Sequence, residues 1–591
     1  MPIQVTSIPT QSFDYIICGR AYRLLILSEI HSGGTAGCVI ASRLTEDPNI
    51  TVLIIEAGQH NDLVENTKIA GRWTQLMDTP EDWNIITPPQ NNALDRLIKL
   101  TRGRFLGGSS GINGSLVVRG VPQDFDDWGV EGWSGAEFWQ YMKKAENFHP
   151  KGWFKHDPES HGTTGHLHTE PHDPAPITNL MLKSMESHGL PYDPDIFSSG
   201  KNPHGCGHSV RTVHKGIRST AADFVAEAGE NLWVWTDTIV DKINLTPGDH
   251  DGDLQATSVD VVHKGSHATI KANKEVLICG GAYCSPAILL RSGIGPKSEV
   301  ESFGIESKVD LPGVGKNLMD HLIAFIFYEV DRPEVTTDHL IHCVDGDQIS
   351  YLQWKEKKTG FLTSLPFGAF AYARLDERLK DSELWQKSER KEGRDPMGLT
   401  PSQPSVEFFT TECYGGPKQY NQPPLGGKSA FAIVPELFGQ QSRGTVTLKS
   451  KDPLENPVVD PNYLSDPLDL LVMSEACSFA NEIVVKGEGT KSIVKGAWPP
   501  GSDHHLLKTR DDWVPFVKQW GTTCYHASGS CKIGPITDSM TVVDERLRVR
   551  GVKGLRVADA SIIPVLHSGH TQFPVYGIAE KSADIIKEDN A

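Results

Sequence analysis

The chain has 591 residues, of which 38% are hydrophobic and 22% charged, as is typical of a soluble globular protein. This length predicts at least two domains. The net charge of −18 argues against nucleic acid and against anionic membranes as partners, because phosphates need a basic surface. With no apolar run of membrane-spanning length and no secretory signal pattern at the start, we expect an intracellular, cytoplasmic protein without a membrane partner.

Cysteine and histidine usage gives no sign of a disulfide framework or a metal site. The ten cysteines are scattered and form no C-x-x-C pair, which favours reduced structural thiols. His166 and His168 could share one face of a strand, but no cysteine or carboxylate completes a recognisable ligand spacing. We therefore expect no metal.

The first specific pattern is a βαβ unit with an interrupted glycine loop. Residues 13–17 (FDYII) read as a buried strand, and a helical pattern ends at Asp47 before a second buried strand. That second strand ends in Glu56, an acid suited to bind a ribose hydroxyl. Glycines let a pyrophosphate approach the backbone at a helix N-terminus. Without residues 20–32, a G-x-G-x-x-G motif would be formed by Gly19, Gly34 and Gly37.

Residues 20–32 are an insertion in this dinucleotide-binding loop. Either the strand that ends at Cys18 keeps its place and the insertion leaves as a loop, or the apolar residues 24–27 replace that strand. The second arrangement would bury Glu29 unpaired, at a cost of roughly several kcal/mol. We therefore predict an extruded loop that folding tolerates but that loosens the pyrophosphate turn, with its ends close together at Gly19, Gly33 and Gly34. The sequence leaves open whether the segment is native or stems from a retained intron or gene-model error.

Further motifs follow in chain order. They are GRFLGGSSGIN at 103–113, GAYCSP at 281–286, DH at 320–321, YHASGSC at 525–531 and HTQ at 570–572. Together with the βαβ unit they closely resemble the glucose–methanol–choline (GMC) family of FAD-dependent oxidoreductases. They look most similar to its fungal aryl-alcohol oxidase and glucose oxidase-like branch.

The resemblance implies an α/β fold (α+β overall). It implies a Rossmann-like FAD-binding domain and a second substrate domain built on an antiparallel sheet. The FAD-binding domain is expected to be discontinuous, at residues 11–150, 205–322 and 521–588. The substrate-binding cap is expected at residues 151–204 and 323–520.

The resemblance also implies one FAD per chain and carries the family's binding positions onto this sequence. Positions expected to hold the ADP part are Gly19, Gly34, Thr35, Ala36, Gly37, Glu56, Ala57 and Val240, the last at the adenine. Positions expected along the pyrophosphate, ribityl chain and flavin are Arg104, Gly108, Ser109, Asn113, Gly114, Ser115, Leu116, Asp559, Ala560, Gln572 and Phe573. Ile112 stands where some relatives carry a flavin-linking histidine, so FAD is expected to be non-covalent.

The chemistry implied is oxidation of an alcohol. His526 and His570 match the family's catalytic histidine pair, and imidazole suits a base at neutral pH. We assign proton acceptance to His526, with His570 hydrogen-bonding the substrate oxygen or sharing the role; the alternative is two core histidines bonded to backbone. His567 is expected to face solvent or the access tunnel.

The predicted function is therefore FAD-dependent oxidation of the CH–OH group of a small-molecule alcohol, with hydride transfer to flavin N5. Oxygen or a quinone-type acceptor would take up the electrons. Two alternatives stay open. One is a non-redox member of the family, a lyase or cyclase. The other is a pseudoenzyme whose FAD binding is damaged by the insertion at residues 20–32.

Overall fold

The computed structural model describes residues 1–19, 33–248, 254–416 and 422–590. Within these ranges the α-helices are α1 (Thr35–Leu44), α2 (Pro122–Asp126), α3 (Gly135–Ala145), α4 (Pro176–Glu186), α5 (Ile196–Ser199), α6 (Ala222–Ala226), α7 (Gly281–Arg291), α8 (Lys297–Ser302), α9 (Asp338–Ile341), α10 (Gly346–Lys357), α11 (Asp376–Leu379), α12 (Glu383–Lys387), α13 (Pro467–Lys486), α14 (Arg510–Trp520) and α15 (Gln572–Asp589). None of these helices combines the length and the apolarity needed to cross a membrane.

The strands of the same ranges are mostly short. They are β1 (Ile3–Val5), β2 (Phe13–Cys18), β3 (Val52–Ile55), β4 (Ile85–Ile86), β5 (Lys99–Leu100), β6 (Glu146–Phe148), β7 (Leu167–Pro171), β8 (Gly205–Gly207), β9 (Val210–Arg211), β10 (Val213–His214), β11 (Ile217–Arg218), β12 (Leu232–Trp235), β13 (Thr238–Pro247), β14 (Leu254–His263), β15 (Ser266–Ile278), β16 (Ile294–Gly295), β17 (Val309–Asp310), β18 (Leu322–Ile323), β19 (Ile326–Val330), β20 (Phe367–Ala373), β21 (Val406–Thr411), β22 (Ser429–Leu437), β23 (Thr445–Thr447), β24 (Val458–Asp460), β25 (Val494–Ala497), β26 (Thr522–Thr523), β27 (Val552–Lys553) and β28 (Leu555–Val557).

A nine-stranded sheet forms the centre of the first half of the fold. Its order is β1-β12-β3-β2-β15-β14-β13, with β27 beside β14 and β28 beside β15. β2 lies between β3 and β15 and is parallel to both. A parallel strand is covered on both faces, which explains the almost unbroken apolar runs of β2 and β3. α1 packs against α15 in the layer that covers this sheet.

The position of β2 confirms that the strand ending at Cys18 keeps its central place. Residues 20–32 themselves lie outside the described residues, so the extruded loop stays a prediction. Gly33 is described. Its carbonyl oxygen accepts a hydrogen bond of 2.7 Å from the amide of Gly107. Gly107 belongs to the glycine-rich motif at residues 103–113, which we call the second glycine loop.

An eight-stranded sheet forms the centre of the second half. Its order is β25-β19-β22-β21-β20-β8, and β18 pairs with both β22 and β26. All of these pairs are antiparallel. The central strand β22 is buried along its whole length, with the long helix α13 packed against it. The predicted class, an α/β fold with a Rossmann-like domain and a second domain on an antiparallel sheet, is confirmed.

The antiparallel sheet takes strands from segments that we assigned to the FAD-binding domain. β8 and β26 lie within residues 205–322 and 521–588, yet they hydrogen-bond into the second sheet. The chain therefore crosses between the two sheets at these points, and our domain boundaries stay a prediction.

A buried ion pair fixes the backbone that follows the second glycine loop. Arg119 donates to Glu146 over 2.6 Å, and both side chains are fully buried. The Glu146 carboxylate also accepts hydrogen bonds from Thr169 and Gly162 and contacts His161. The residue before Arg119 accepts a 2.9 Å hydrogen bond at its carbonyl from the amide of His570. Through this contact the ion pair helps to place one of the predicted catalytic histidines.

We expect Glu146→Gln to lower the free energy of unfolding by about 3–5 kcal/mol, because it leaves the Arg119 charge buried and uncompensated. Burial alone would raise the pKa of Glu146, but Arg119 and His161 lower it to about 2. The stability that this carboxylate contributes is therefore present above the ordinary glutamate pKa and is lost as the pH falls towards 2.

Urea unfolding between pH 3 and 7 measures both effects. Glu159→Gln is the control, since Glu159 is a nearby exposed carboxylate. Equal stabilities for the two variants would contradict the role given to the ion pair.

Candidate active site

The two glycine loops contact each other backbone to backbone at the end of β2. The amide of Cys279 donates to the carbonyl of Cys18 over 3.1 Å. A Cβ on Gly34 would lie 3.2 Å from the carbonyl oxygen of Cys279, and a Cβ on Gly108 would lie 2.9 Å from Cα of Gly34. Gly108 also has a positive φ of 51°, which side-chain-bearing residues rarely adopt. The two loops can approach this closely because residue 108 is glycine, and Gly34 leaves room for the Cys279 carbonyl group.

This contact borders a cavity of about 1360 Å³ of empty volume, part of it open to solvent. The cavity runs from the N-terminus of α1 to the two predicted catalytic histidines. The predicted site residues that line it are Gly34, Thr35, Ala36, Glu56, Gly108, Ser109, Asn113, Gly114, Ser115, Leu116, His526, Asp559, Ala560, His570 and Gln572.

The other predicted binding residues do not line the cavity and act from behind it. The Gly19 carbonyl accepts a 3.3 Å hydrogen bond from the amide of Val240. Gly37 packs against Ile17, where a Cβ would lie 3.0 Å from a side-chain carbon. The remaining predicted binding residues are also buried. They are Ala57, Arg104 and Phe573.

Glu56 presents a buried carboxyl group at the far end of the cavity. Its side chain accepts a 2.5 Å hydrogen bond from the amide of Gly58. Burial raises the pKa of Glu56 well above its ordinary value, and the nearby charge of Arg104 offsets this only partly. A buried acid at the end of β3 is well placed to bond with a ligand hydroxyl group.

Asn113 is held rigidly at the opposite end of the cavity. Arg218 donates to its backbone and side-chain oxygens over 2.7 and 2.8 Å, and to the Ser115 hydroxyl over 2.9 Å. The Asn113 amide nitrogen donates in turn to the side chain of Gln572. Arg218 is itself buried, and burial lowers its pKa to about 9. These hydrogen bonds fix the orientation of both amide side chains.

The loop that carries His526 is anchored on one buried carboxylate, Asp320. One Asp320 oxygen accepts the His526 amide over 2.7 Å, and the other accepts the hydroxyls of Thr523 and Tyr463 over 2.5 and 2.6 Å. Tyr525, the residue before His526, has a φ of 62°, in the left-handed region. Such backbone strain persists only where the surroundings hold it. The structure therefore fixes the His526 ring from both its backbone and its side chain.

The imidazole rings of His526 and His570 lie side by side, with centroids 4.7 Å apart. Two glutamates lie behind them. His526 Nδ1 is 3.0 Å from Glu436 Oε1, and His570 Nε2 is 3.1 Å from Glu407 Oε2 and 3.4 Å from Glu436 Oε2. His321 Nδ1 lies 2.7 Å from the same Glu436 Oε1. Both carboxylates are fully buried.

These contacts separate the protonation states of the two histidines. Burial lowers the pKa of His526 to about 3, and Glu436 offsets this only partly. Burial also disfavours the charged form of His570, but Glu407 and Glu436 raise its pKa to about 10. Burial raises the pKa of Glu407 to about 7. Burial acts in the same direction on Glu436, but the charges and hydrogen bonds of the surrounding histidines outweigh it and hold the pKa of Glu436 well below its ordinary value. At neutral pH the pair therefore consists of a neutral His526 and a cationic His570.

Sequence reasoning missed the two glutamates and His321. Glu407 and Glu436 stand directly opposite each other on β21 and β22. The only sequence signal is an acid within each of two otherwise apolar strands, VEFFTT and SAFAIVPEL. His321 was part of a motif that supported the family resemblance but received no role. The same holds for Gly281 and Ala282, which line the cavity.

His567 does not lie where we expected it. The residue is 1% exposed, and its ring stacks on Phe125 with centroids 5.8 Å apart. Within the described part of the chain, neither ring nitrogen has a hydrogen-bond partner. The expectation of a solvent- or tunnel-facing side chain was wrong, because α2 and its neighbours enclose the loop.

The buried cluster contains two overlapping sets of three groups whose ligand atoms lie within 4.8 Å of one another. The sets are His321–Glu436–His526 and Glu407–Glu436–His570. Two imidazoles and a carboxylate are donors that several transition metals accept. Here the histidine ring nitrogens lie within hydrogen-bonding distance of the carboxylate oxygens, so hydrogen bonds account for the arrangement.

Comparisons with known proteins match the chain along almost its whole length. Two family models described as GMC oxidoreductase match residues 28–323 and 440–579. The oxygen-dependent choline dehydrogenase of Burkholderia thailandensis is 33% identical over 98% of this chain and 94% of its own length. The corresponding protein of Burkholderia lata is 32% identical over the same shares.

Solved structures agree with this match. A formate oxidase of Aspergillus oryzae superposes with a TM-score of 0.87 at 28% identity, over 100% of this chain and 99% of the other. A fungal aryl-alcohol oxidase superposes with a TM-score of 0.79 at 22% identity, over 98% and 99% of the two chains, and shows the fold alone.

The two curated relatives are bacterial choline dehydrogenases, so they do not support the fungal branch that the motifs suggested. The two family models and the full-length relatives establish the wider family. The chain therefore belongs to the GMC oxidoreductase family.

Proposed function

We propose that this protein is an FAD-dependent oxidoreductase that converts the CH–OH group of a small alcohol to a carbonyl group. The observation that carries the proposal is the pair of adjacent histidines at one end of the cavity, one neutral and one cationic at neutral pH. Neighbouring titratable groups whose pKa values are driven apart indicate separate acid and base roles.

The cavity fits FAD. The N-terminus of α1 and the close contact of Gly34 with Gly108 suit a pyrophosphate, because the first amides of a helix have no acceptor within the helix and would be available to a bound anion, with no side chain at Gly34 or Gly108 in the way. Glu56 would bond to the ribose. The fixed amide side chains of Asn113 and Gln572 suit the polar edge of the flavin ring.

When bound, FAD would supply the hydride acceptor. The chain supplies the proton chemistry. His526 holds its own proton at Nδ1, towards Glu436, so Nε2 is free to accept the hydroxyl proton of the substrate. Cationic His570 faces Glu407 and Glu436 through Nε2, which leaves Nδ1–H to bond the substrate oxygen as negative charge develops there. Burial of the cluster strengthens both contacts.

The names of relatives guide the choice of substrate and acceptor. The Burkholderia relatives are named oxygen-dependent choline dehydrogenases, which supports a small alcohol as substrate and oxygen as a first acceptor to test. A quinone-type acceptor is the alternative. We propose the cytoplasm as the location, and the predicted domain boundaries as those of the FAD-binding and cap domains.

Anaerobic mixing with alcohols tests the function. We expect at least one member of a panel that includes choline and aryl alcohols to bleach the flavin absorbance of the FAD-loaded protein. His526→Gln should slow this reduction by about 10²–10⁴-fold, the usual contribution of a positioned base, while FAD stays bound. In the wild type the rate should fall as the pH rises through the His570 pKa of about 10, because the cation is lost.

His504→Gln is the control, since His504 is another buried histidine, bonded to the backbone carbonyl of Phe327. No bleaching by any alcohol would speak for a non-redox member of the family. Equal rates for wild type and His526→Gln would remove His526 from the mechanism.

We expect FAD to be bound without a covalent link. Ile112 lines the cavity, and the family resemblance puts it where some relatives carry the flavin-linking histidine; an alkyl side chain offers no atom that could form the bond. Acid precipitation of the holoprotein should therefore leave a colourless pellet and a yellow supernatant. Colour retained in the pellet would show a covalent link elsewhere in the site.

We expect deletion of residues 20–32 to raise FAD occupancy. The deletion restores G-x-G-x-x-G, and Cys18 and Gly34 already flank the same residue, Cys279. The ratio of flavin to protein absorbance, measured after addition of excess FAD and desalting, gives the occupancy of each form. If the deletion variant binds FAD no better than the full chain, the insertion is a tolerated or useful part of the protein.

A further inference from the structure

Glu436 is the one carboxylate that contacts all three histidines of the described cluster. Its Oε1 lies 2.7 Å from His321 Nδ1 and 3.0 Å from His526 Nδ1, and its Oε2 lies 3.4 Å from His570 Nε2. The Cys524 thiol donates to the same Oε2 over 3.3 Å. The side chain is fully buried and therefore out of contact with bulk solvent.

We propose that Glu436 is the positioning residue that holds His526 in the tautomer with its proton on Nδ1, and that its negative charge offsets the charge His526 gains on accepting the substrate proton. The inference rests on the proposed function. In the step itself the substrate O–H bond breaks and an N–H bond forms at His526 Nε2. The carbon that bears this oxygen would give up its hydride to FAD, and its bond to oxygen would become C=O. The proton on His526 Nδ1 stays in place.

The tautomer follows from the donor and acceptor chemistry of the cluster. An ionised carboxylate can only accept hydrogen bonds, so each ring nitrogen that bonds to it must carry a proton. His321 Nδ1 and His526 Nδ1 are 3.0 Å from each other and converge on a single oxygen, Oε1. Two converging N–H groups repel unless the atom between them is strongly negative. A neutral His526 with its proton on Nδ1 necessarily has a free lone pair on Nε2.

The backbone around Glu436 keeps this carboxylate at a fixed place. Glu436 lies within β22, where it is paired with Glu407 on β21 and with Ile323 on β18. His526 and His321 belong to other segments, and Asp320 accepts the His526 amide. Strand pairing on two sides therefore holds Glu436 in place, as a positioning group requires, and β18 also pairs with β26, the strand just before the loop that carries His526.

The orientation of the two glutamates distinguishes their roles. Glu407 contacts His570 alone among the histidines, and its Oε1 has no partner in the described part of the chain. Loss of Glu407 would change the charge of His570 and leave the His526 tautomer intact. Loss of Glu436 would remove the only acceptor for His526 Nδ1–H among the described residues, because the adjacent His321 Nδ1 carries a proton of its own.

The test compares Glu436→Gln and Glu436→Asp with the FAD-loaded wild type. The limiting rate of flavin reduction by the best alcohol should fall about 10²–10⁴-fold in Glu436→Gln, as when a histidine-orienting carboxylate becomes an amide in other enzymes. The rate of this variant should still rise with pH where the wild-type rate is level, because hydroxide must replace the weakened base. Glu436→Asp, which keeps the charge, should restore part of the rate and the level profile.

Glu412→Gln is the matched control. Glu412 is also a buried carboxylate paired with a histidine, His172, in the cap sheet region, and it lies outside the cavity lining. It should lower the melting temperature without changing the pH profile of flavin reduction. A Glu436→Gln variant with the wild-type rate and profile overturns the proposal.

Nitrogen NMR of ¹⁵N-histidine-labelled holoprotein reads the tautomer without any substrate, with His526→Gln used to assign the signals. The wild type should show His526 protonated at Nδ1, and Glu436→Asp should keep that signal even if Glu436→Gln fails to fold. A wild-type His526 protonated at Nε2 overturns the proposal. If no alcohol reduces the flavin but the Nδ1 tautomer is seen and is lost in Glu436→Gln, the proposed function fails while the positioning role of Glu436 stands.

Discussion

Two carboxylates that face each other across neighbouring strands, in a part of the protein closed to water, set the constraint on which the site depends. Glu407 and Glu436 would repel each other and resist burial if left alone. The surrounding histidines offset the repulsion and the cost of burying the two acids, but they do not contact the acids equally. His570 contacts both acids, which raise its pKa, whereas His526 contacts only Glu436, and burial lowers its pKa. The proposed acid and base roles rest on this asymmetry.

The glycine-lined part of the site could be predicted from the sequence because its signals are local. A strand, a glycine turn and a helix lie within a short stretch, and each glycine marks a place where two backbones meet. Gly108 shows this directly, since a Cβ there would lie 2.9 Å from Cα of Gly34, and a Cβ on Gly34 would fit only tightly, 3.2 Å from the Cys279 carbonyl oxygen. The histidine pair was also predictable, because His526 and His570 lie in short motifs that carry the family resemblance.

The glutamates could not be predicted because their importance depends on strand register. Nothing near Glu407 or Glu436 in the sequence shows that β21 and β22 pair with these two residues opposite each other. A shift by one residue would turn each acid to the other face of the sheet. The prediction of an exposed His567 was wrong for a similar reason. Its loop is enclosed by α2, which lies far away in the chain. The insertion at residues 20–32 lies outside the described residues, so the deletion experiment is what tests its effect on FAD binding.

Asp320 links catalysis to the integrity of the whole fold. Its carboxylate accepts hydrogen bonds from the His526 amide and from the hydroxyl of Tyr463, which lies just before α13. The next residue, His321, contacts Glu436 on the eight-stranded sheet. Movement of the eight-stranded sheet would therefore disturb the contacts that hold His526, the proposed base. Under the proposed function, heat inactivation and loosening of this sheet should be one cooperative event. A partly opened molecule would then be inactive even with FAD still bound.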